Sequence, residues 1–308
     1  SKDTFHLCNE LGESCDSLLK IDITEQRKLL ESELVLNDNY YQFIDFKGKK
    51  NKKYNSIIFD NEFFENVTFF YNDSIDFNLD KEKKVFKIIQ KDFYGRSFFV
   101  NGLIKNIQID FEGKKELFNQ KISNRYDHNT LTGCLSFIKI YFENTELNST
   151  SSICEDGINL INSNGKIKKI SSKNSLFDGV DFDFSNLSIE QINIENSLND
   201  CIDFSSGTYT VENSILKKCG DKALSVGEAT IANFQKIDVT SSNIGLASKD
   251  SSKVFIENSK MWDVMNCYAS YKKKQEFNGG QIKIKNSNCK NFNTEIYVDN
   301  FSSIEVMN

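Results

Sequence analysis

The feature that most constrains this chain is the recurrence of an Asp or Asn about every ~22 residues, a period in the range of solenoid repeats. Asp156, Asp178, Asp200 and Asp221 form a nearly evenly spaced column that Asn243 and Asn266 continue. A short stretch of alternating apolar and polar residues follows each one: GINLI, GVDFDF, CIDFSS, KALSV, IGLAS and CYASY. Second alternating stretches fill the intervals, among them LSIEQINIENS, GTYTVENSIL, ATIANFQKIDV and SKVFIENSKM, and GGQIKIKNSN closes the series. Alternation of period two is the signature of strands. A unit of this length cannot bury its apolar face alone, but stacked copies share one continuous core. The repeat is too short for helical solenoids and lacks a leucine-rich signature, so it predicts an all-β solenoid of ~22-residue rungs.

Composition agrees. Proline is absent from the 308 residues, as expected where nearly every strand is paired on both sides. A net charge of −6, with Lys and Arg dispersed along the chain, argues against a nucleic-acid partner. No apolar run approaches the roughly 20 residues that a membrane span requires. Residues 52–150 are less regular, but YNSIIFD, NVTFFY, VFKIIQ and CLSFIKIYF read as earlier, worn rungs of the same solenoid. The expected organisation is an N-terminal cap over 1–51, with a short amphipathic helix between Asp22 and Leu34, followed by a β-helix over 52–308.

The eight cysteines test this register. Cys201 and Cys267 occupy equivalent positions three rungs apart, about 14 Å at a strand spacing of ~4.8 Å, as do Cys154 and Cys219. Bridging requires Cα atoms within about 7 Å, so these are expected to be buried thiols. Cys8 and Cys15 are the pair suited to a local bridge. His6 and His128 stand alone and no C-x-x-C occurs, so no zinc site is expected.

The period, the alternation and the Asn-Ser pairs at Asn174, Asn196, Asn213, Asn258 and Asn286 resemble the right-handed parallel β-helix proteins of the pectate-lyase-like superfamily, over about residues 52–300. That resemblance implies a ladder of stacked turn asparagines and an acidic polysaccharide as substrate or ligand. A finer local similarity is to polygalacturonases, whose N-T-D, D-D, G-H-G and R-I-K motifs match LFDGVD, NDCID, DKALSVG and GLASK in order and spacing. It implies carboxylate roles for Asp178 and Asp200, with Asp200 as general acid, and substrate binding by Lys249. Asn199, Lys222 and Ala247 depart from the family pattern at one Asp, the His and the Arg.

Alternation places Val180, Phe182, Phe184, Ile202 and Phe204 inward and Asp181, Asp183, Asp203 and Ser205 outward. The candidate catalytic set is Asp178, Asp200, Asp203 and Lys222, and the candidate substrate-binding set is Asp181, Asp183, Asp221, Lys249, Tyr268 and Lys272. Closely spaced carboxylates resist joint ionisation, so one can serve as acid while its neighbour stays a base. Such a pair suits glycoside hydrolysis. A Ca²⁺ ion held by the cluster, with a Lys as base, would instead suit a lyase or C5-epimerase, which is the leading expectation. The competing one is a non-catalytic glycan-binding or scaffolding module of a cell surface or capsule assembly. In that case the Asp column simply caps turns through side-chain to backbone bonds. A secreted, periplasmic or surface location suits either.

Overall fold

The computed structural model describes residues 54–123, 125–127 and 131–307, with the backbone of 7–8 and 15–16. The chain divides into two compact units, Ser1–Tyr41 and Gln42–Asn308. Within the first, Leu7–Cys8 pairs antiparallel with Cys15–Asp16, which sets Cys8 opposite Cys15. Their side chains and the expected helix between Asp22 and Leu34 lie outside the described residues.

The second unit is a parallel β-solenoid of about ten turns. One lap shows the logic. Val180 and Phe182 point inward on the first face, Leu187 and Ile189 on the second, and Ile192 and Ile194 on the third, all at most 3% exposed. Each lap pairs in register with the next: Val180 with Ile202, Leu187 with Tyr209 and Ile194 with Leu216. Inward residues therefore stack on their own kind, and Phe182 lies flat on Phe204 with ring centroids 4.8 Å apart. Truncating such a ring to Ala would cost about 3–5 kcal/mol.

Corners between faces turn through left-handed backbone. One corner column runs through Asn174 (φ 61°), Asn196 (64°), Lys218 (57°), Ser241 (61°), Asp263 (58°) and Asn291 (57°). Asn and Asp tolerate this conformation better than other non-glycine residues. Here the asparagine ladder is partial. Asn196 Nδ2 donates to Asn174 Oδ1 at 2.8 Å and Asn291 Nδ2 to Asp263 Oδ1 at 3.0 Å, but Asn258 and Asn286 turn a different corner and Asn213 lies mid-strand. Phe184 is a further correction: it sits at a corner with φ 50°, so alternation breaks and its side chain is 59% exposed.

The Asp column also slips by one. Lys222, not Asp221, donates its backbone N–H to Asp200 Oδ1, at 2.9 Å, and Lys222 pairs with Ile244, which pairs with Asn266. The apparent short step from Asp200 to Asp221 arises because Lys222 is the residue in register with Asp200; the register irregularity between Cys219 and Lys222 belongs to the pairing with the next lap. The true column is Asp156, Asp178, Asp200, Lys222, Ile244 and Asn266, and its hydrogen-bonded steps from Asp178 to Asp200 and from Asp200 to Lys222 each span 22 residues.

The first strands are not worn rungs. Asn55–Phe59, Val67–Tyr71 and Ser97–Val100 form an antiparallel group, and Ile75–Asp80 pairs antiparallel with Val85–Gln90 through a tight turn. Parallel stacking begins where Val85–Gln90 meets Gln108–Glu112 and Ser97–Val100 meets Gly133–Ile138. Phe59, Phe64, Phe69, Phe77, Phe86 and Phe99 pack edge-on and stacked in this region, which accounts for much of the phenylalanine.

Among the described residues, three disulfides overturn the expectation of buried thiols: Cys134–Cys154, Cys201–Cys219 and Cys267–Cys289, with Cα separations of 5.3, 5.2 and 6.3 Å. Equivalent positions three laps apart are indeed too distant. Cysteines about one lap apart in sequence are different, because the lap brings the chain back beside itself. Closing loops of that length is worth about 3 kcal/mol each in the chain-entropy account. No helix among the described residues is long and apolar enough to cross a membrane.

The corner geometry predicts the outcome of two substitutions at Asn196. Asn196→Val places a β-branched residue at positive φ and should cost about 2 kcal/mol, lowering the melting temperature by roughly 5 °C. Asn196→Gly should cost less than half as much, by thermal unfolding. Equal losses would mean that the amide ladder, not the backbone, sets the cost.

Candidate functional site

The outer side of the first face carries the candidate site. In-register pairing stacks Ser136, Asn159, Asp181 and Asp203 in one outward column and Asp183 beside Ser205 in the next. At the head of these strands stand Asp156, Asp178 and Asp200, only 2%, 8% and 4% exposed. Six carboxyl groups thus share a patch with two lysines, Lys222 and Lys249.

The carboxylates of Asp178 and Asp200 each bind the lap that follows. Asp178 Oδ1 accepts the Asp200 backbone N–H at 2.8 Å and the Asn199 amide at 2.6 Å. Asp200 Oδ1 accepts the Lys222 N–H at 2.9 Å, and the Lys222 ammonium lies 3.3 Å from the same oxygen. Lys222 Nζ also contacts Asp221 Oδ2. Deeper along the face, the Asn159 amide donates to Asp183 Oδ2 at 3.0 Å and Asp181 Oδ2 at 3.3 Å. Lys249, itself buried, donates to Ser225 Oγ at 2.7 Å and lies 3.9 Å from Asp203 Oδ1. One carboxylate oxygen from each of Asp178, Asp200 and Asp203 falls within 4.8 Å of the others.

Burial and mutual repulsion set the protonation of this patch. Burial, reinforced by Asp200 and Asp156, pushes Asp178 up to about 8. Burial does the same for Asp156, also to about 8. Asp181 and Asp183 are raised by burial and by their acidic neighbours, against the Asn159 bond at Asp183. Asp200 is raised by burial although Lys222 opposes the shift. For Lys222, burial alone would favour the neutral amine, but Asp200 and Asp221 outweigh it and its pKa is raised.

Two predicted members fall elsewhere. Tyr268 points into the core at 3% exposure, its hydroxyl 2.7 Å from Ser259 Oγ, because it follows the inward column of Leu246; it leaves the substrate-binding set. Lys272 is engaged by the C-terminal turn, with its N–H on Asp299 and its ammonium 5.5 Å from the Phe301 ring centroid. Asp156, Asn159, Ser225 and Tyr271 are additions. Tyr271 pairs in register with Lys249 and is influenced by Lys222 and Asp221. Projecting one uniform lap forward from Lys249 would have found Tyr271, and one lap back from Asp181 would have found Asn159.

The trio of Asp178, Asp200 and Asp203 has the spacing to hold a cation. Ca²⁺ asks for six to eight oxygens, whereas Asp178 Oδ1 already accepts two hydrogen bonds and the Lys222 ammonium occupies Asp200. Protons and ammonium groups supply the compensating charge in this arrangement. Compared with protein-family models, curated proteins and solved structures, the chain has no significant match. The fold class is therefore set by the strand pairing itself, and the superfamily resemblance stays at the level of architecture.

The folded patch holds protons that the unfolded chain releases near pH 4. Stability from this source is complete below that pH and is lost as pH rises through about 8. Thermal unfolding should therefore occur at higher temperature at pH 5.5 than at pH 8.5. Asp156→Asn, which removes one buried carboxyl, should shrink the difference by raising the pH 8.5 value. A melting temperature that climbs with pH over this range would contradict the protonated patch.

Proposed function

We propose that the chain hydrolyses glycosidic bonds in a polysaccharide. The supporting observation is that Asp178, Asp200 and Asp203 converge within 4.8 Å in unequal surroundings. Asp178, with its pKa near 8, keeps a proton at neutral pH and takes the role of general acid toward the leaving oxygen. Asp203 is the most open of the three, with its side chain 28% exposed, and takes the role of nucleophile, since carboxyl groups this close leave no room for a water between them and the sugar. Unequal carboxyl environments are how acid and base are separated in such sites. The leaving oxygen takes the Asp178 proton as the Asp203 carboxylate bonds to the sugar carbon; water then displaces Asp203 from that carbon and gives its proton to Asp178, which restores both groups. Asp200 and Lys222 form a fixed ion pair that positions the strand heads.

Hydrolysis fits the geometry better than the lyase or epimerase chemistry expected from the residues alone. With Lys222 as their base those reactions would need its neutral amine, and Lys222 is held as ammonium by Asp200 and Asp221. A second reading, that of a non-catalytic glycan-binding or scaffolding module, draws on the bonds from Asp178 and Asp200 to the next lap. These bonds give both residues a structural role without chemistry.

Asn preserves the accepting oxygen of Asp while abolishing the proton, so one substitution separates the readings. Asp178→Asn and Asp203→Asn should each lower the release of reducing ends by at least about 100-fold, with melting temperatures near the parent's. Wild-type activity on a panel of acidic and neutral polysaccharides should fall as pH rises through about 8. Unsaturated products would favour the lyase, and absence of any cleavage across the panel would favour the scaffold.

A further inference from the structure

A second surface, on the third face, is built unlike the first. Its outward columns run Asn193, Ile215, Asp238, Lys260, Asn288 and Glu195, Lys217, Thr240, Trp262, Lys290. Between them lies a groove of about 570 Å³ that includes Ile215, Lys217, Lys260, Trp262 and Lys290. Trp262, the only tryptophan in the chain, is 55% exposed, and Ile215 is 41% exposed. An indole left half open on a regular sheet forgoes burial that the inward faces could have supplied.

The charges point the same way. On the preceding laps Lys166, Lys168 and Lys173 are each neutralised by a glutamate within 3.1 Å. Among the described residues, Lys217, Lys260 and Lys290 form no such ion pair, and the one carboxylate lining the groove is Asp238. In a chain of net charge −6, three unpaired ammonium groups around an open aromatic ring form a local positive site. The groove shares Ile215 and Asp238 with a second of about 430 Å³, so it continues along the solenoid axis.

We infer that this groove docks an anionic polysaccharide, with Trp262 under a sugar ring and Lys217, Lys260 and Lys290 reading its carboxylate or sulfate groups. Lys217 stands two laps before Lys260 and three before Lys290, so at ~4.8 Å per lap the charges spread over about 14 Å along the solenoid axis, which suits charges repeated along an extended glycan. The acidic remainder of the surface opposes a long nucleic acid. This site does not depend on the carboxyl chemistry of the first face.

Trp262 reports on its own groove. Titrating an oligogalacturonate or a sulfated oligosaccharide into the full chain should quench and shift tryptophan emission, with the effect weakening as salt is raised. Combined Lys217→Gln, Lys260→Gln and Lys290→Gln should weaken binding about tenfold, as three exposed ion pairs allow. Trp262→Ala, followed by calorimetry, should weaken it comparably, and Asp203→Asn should leave the emission response intact even where it abolishes cleavage. Equal response to a neutral cello-oligosaccharide, preference for a single-stranded oligonucleotide, or no response to either anionic glycan would each overturn the assignment.

Discussion

Everything in this molecule depends on in-register parallel pairing between laps of equal length. Each lap returns a side chain to a position directly over its predecessor, so a choice made once in the sequence becomes a column in space. Inward columns can then be apolar throughout, as in Val180 with Ile202 and Phe182 with Phe204. The corners follow, because turning between flat faces requires left-handed backbone at Asn174, Asn196 and their successors. Where the chain carries an irregularity, between Cys219 and Lys222, the register is recovered within the same lap.

The same rule creates the electrostatic problem of the first face. Stacking Asp156, Asp178 and Asp200 at the strand heads concentrates charge that burial cannot tolerate. The molecule answers with protons, with backbone N–H donors from the following lap at Asp178 and Asp200, and with Lys222 taking the next place in the column. In Asp178 and Asp200 a bond to the next lap and a raised proton affinity coexist. The hydrogen bonds fix Asp178 and Asp200, and burial raises the proton affinity of all three carboxyl groups.

The solenoid was legible because its signal is long-range and repetitive. Less was legible where a single residue or one pairing decides the outcome. Whether strands run parallel or antiparallel is not written in an apolar run, so Asn55–Phe59 and Val67–Tyr71 read as rungs, although the polar turn between Asp80 and Val85 does carry a hairpin signature. The disulfides escaped because equivalent positions were compared across several laps, while bridges form between residues one lap apart. Of the site, the acidic members on the first face were legible from alternation. Tyr268 turns toward Ser259 because the alternation of its own lap carries it inward, in the column of Leu246, and nothing in the residue type of Asn159 marks it as part of an acidic patch.

The most direct test of the stacked-lap architecture is a peptide map of the unreduced protein, purified without reductant. Stacked laps predict crosslinked peptides joining Cys134 to Cys154, Cys201 to Cys219 and Cys267 to Cys289. Crosslinks joining Cys154 to Cys219, or Cys201 to Cys267, would contradict it, since those residues lie three laps apart.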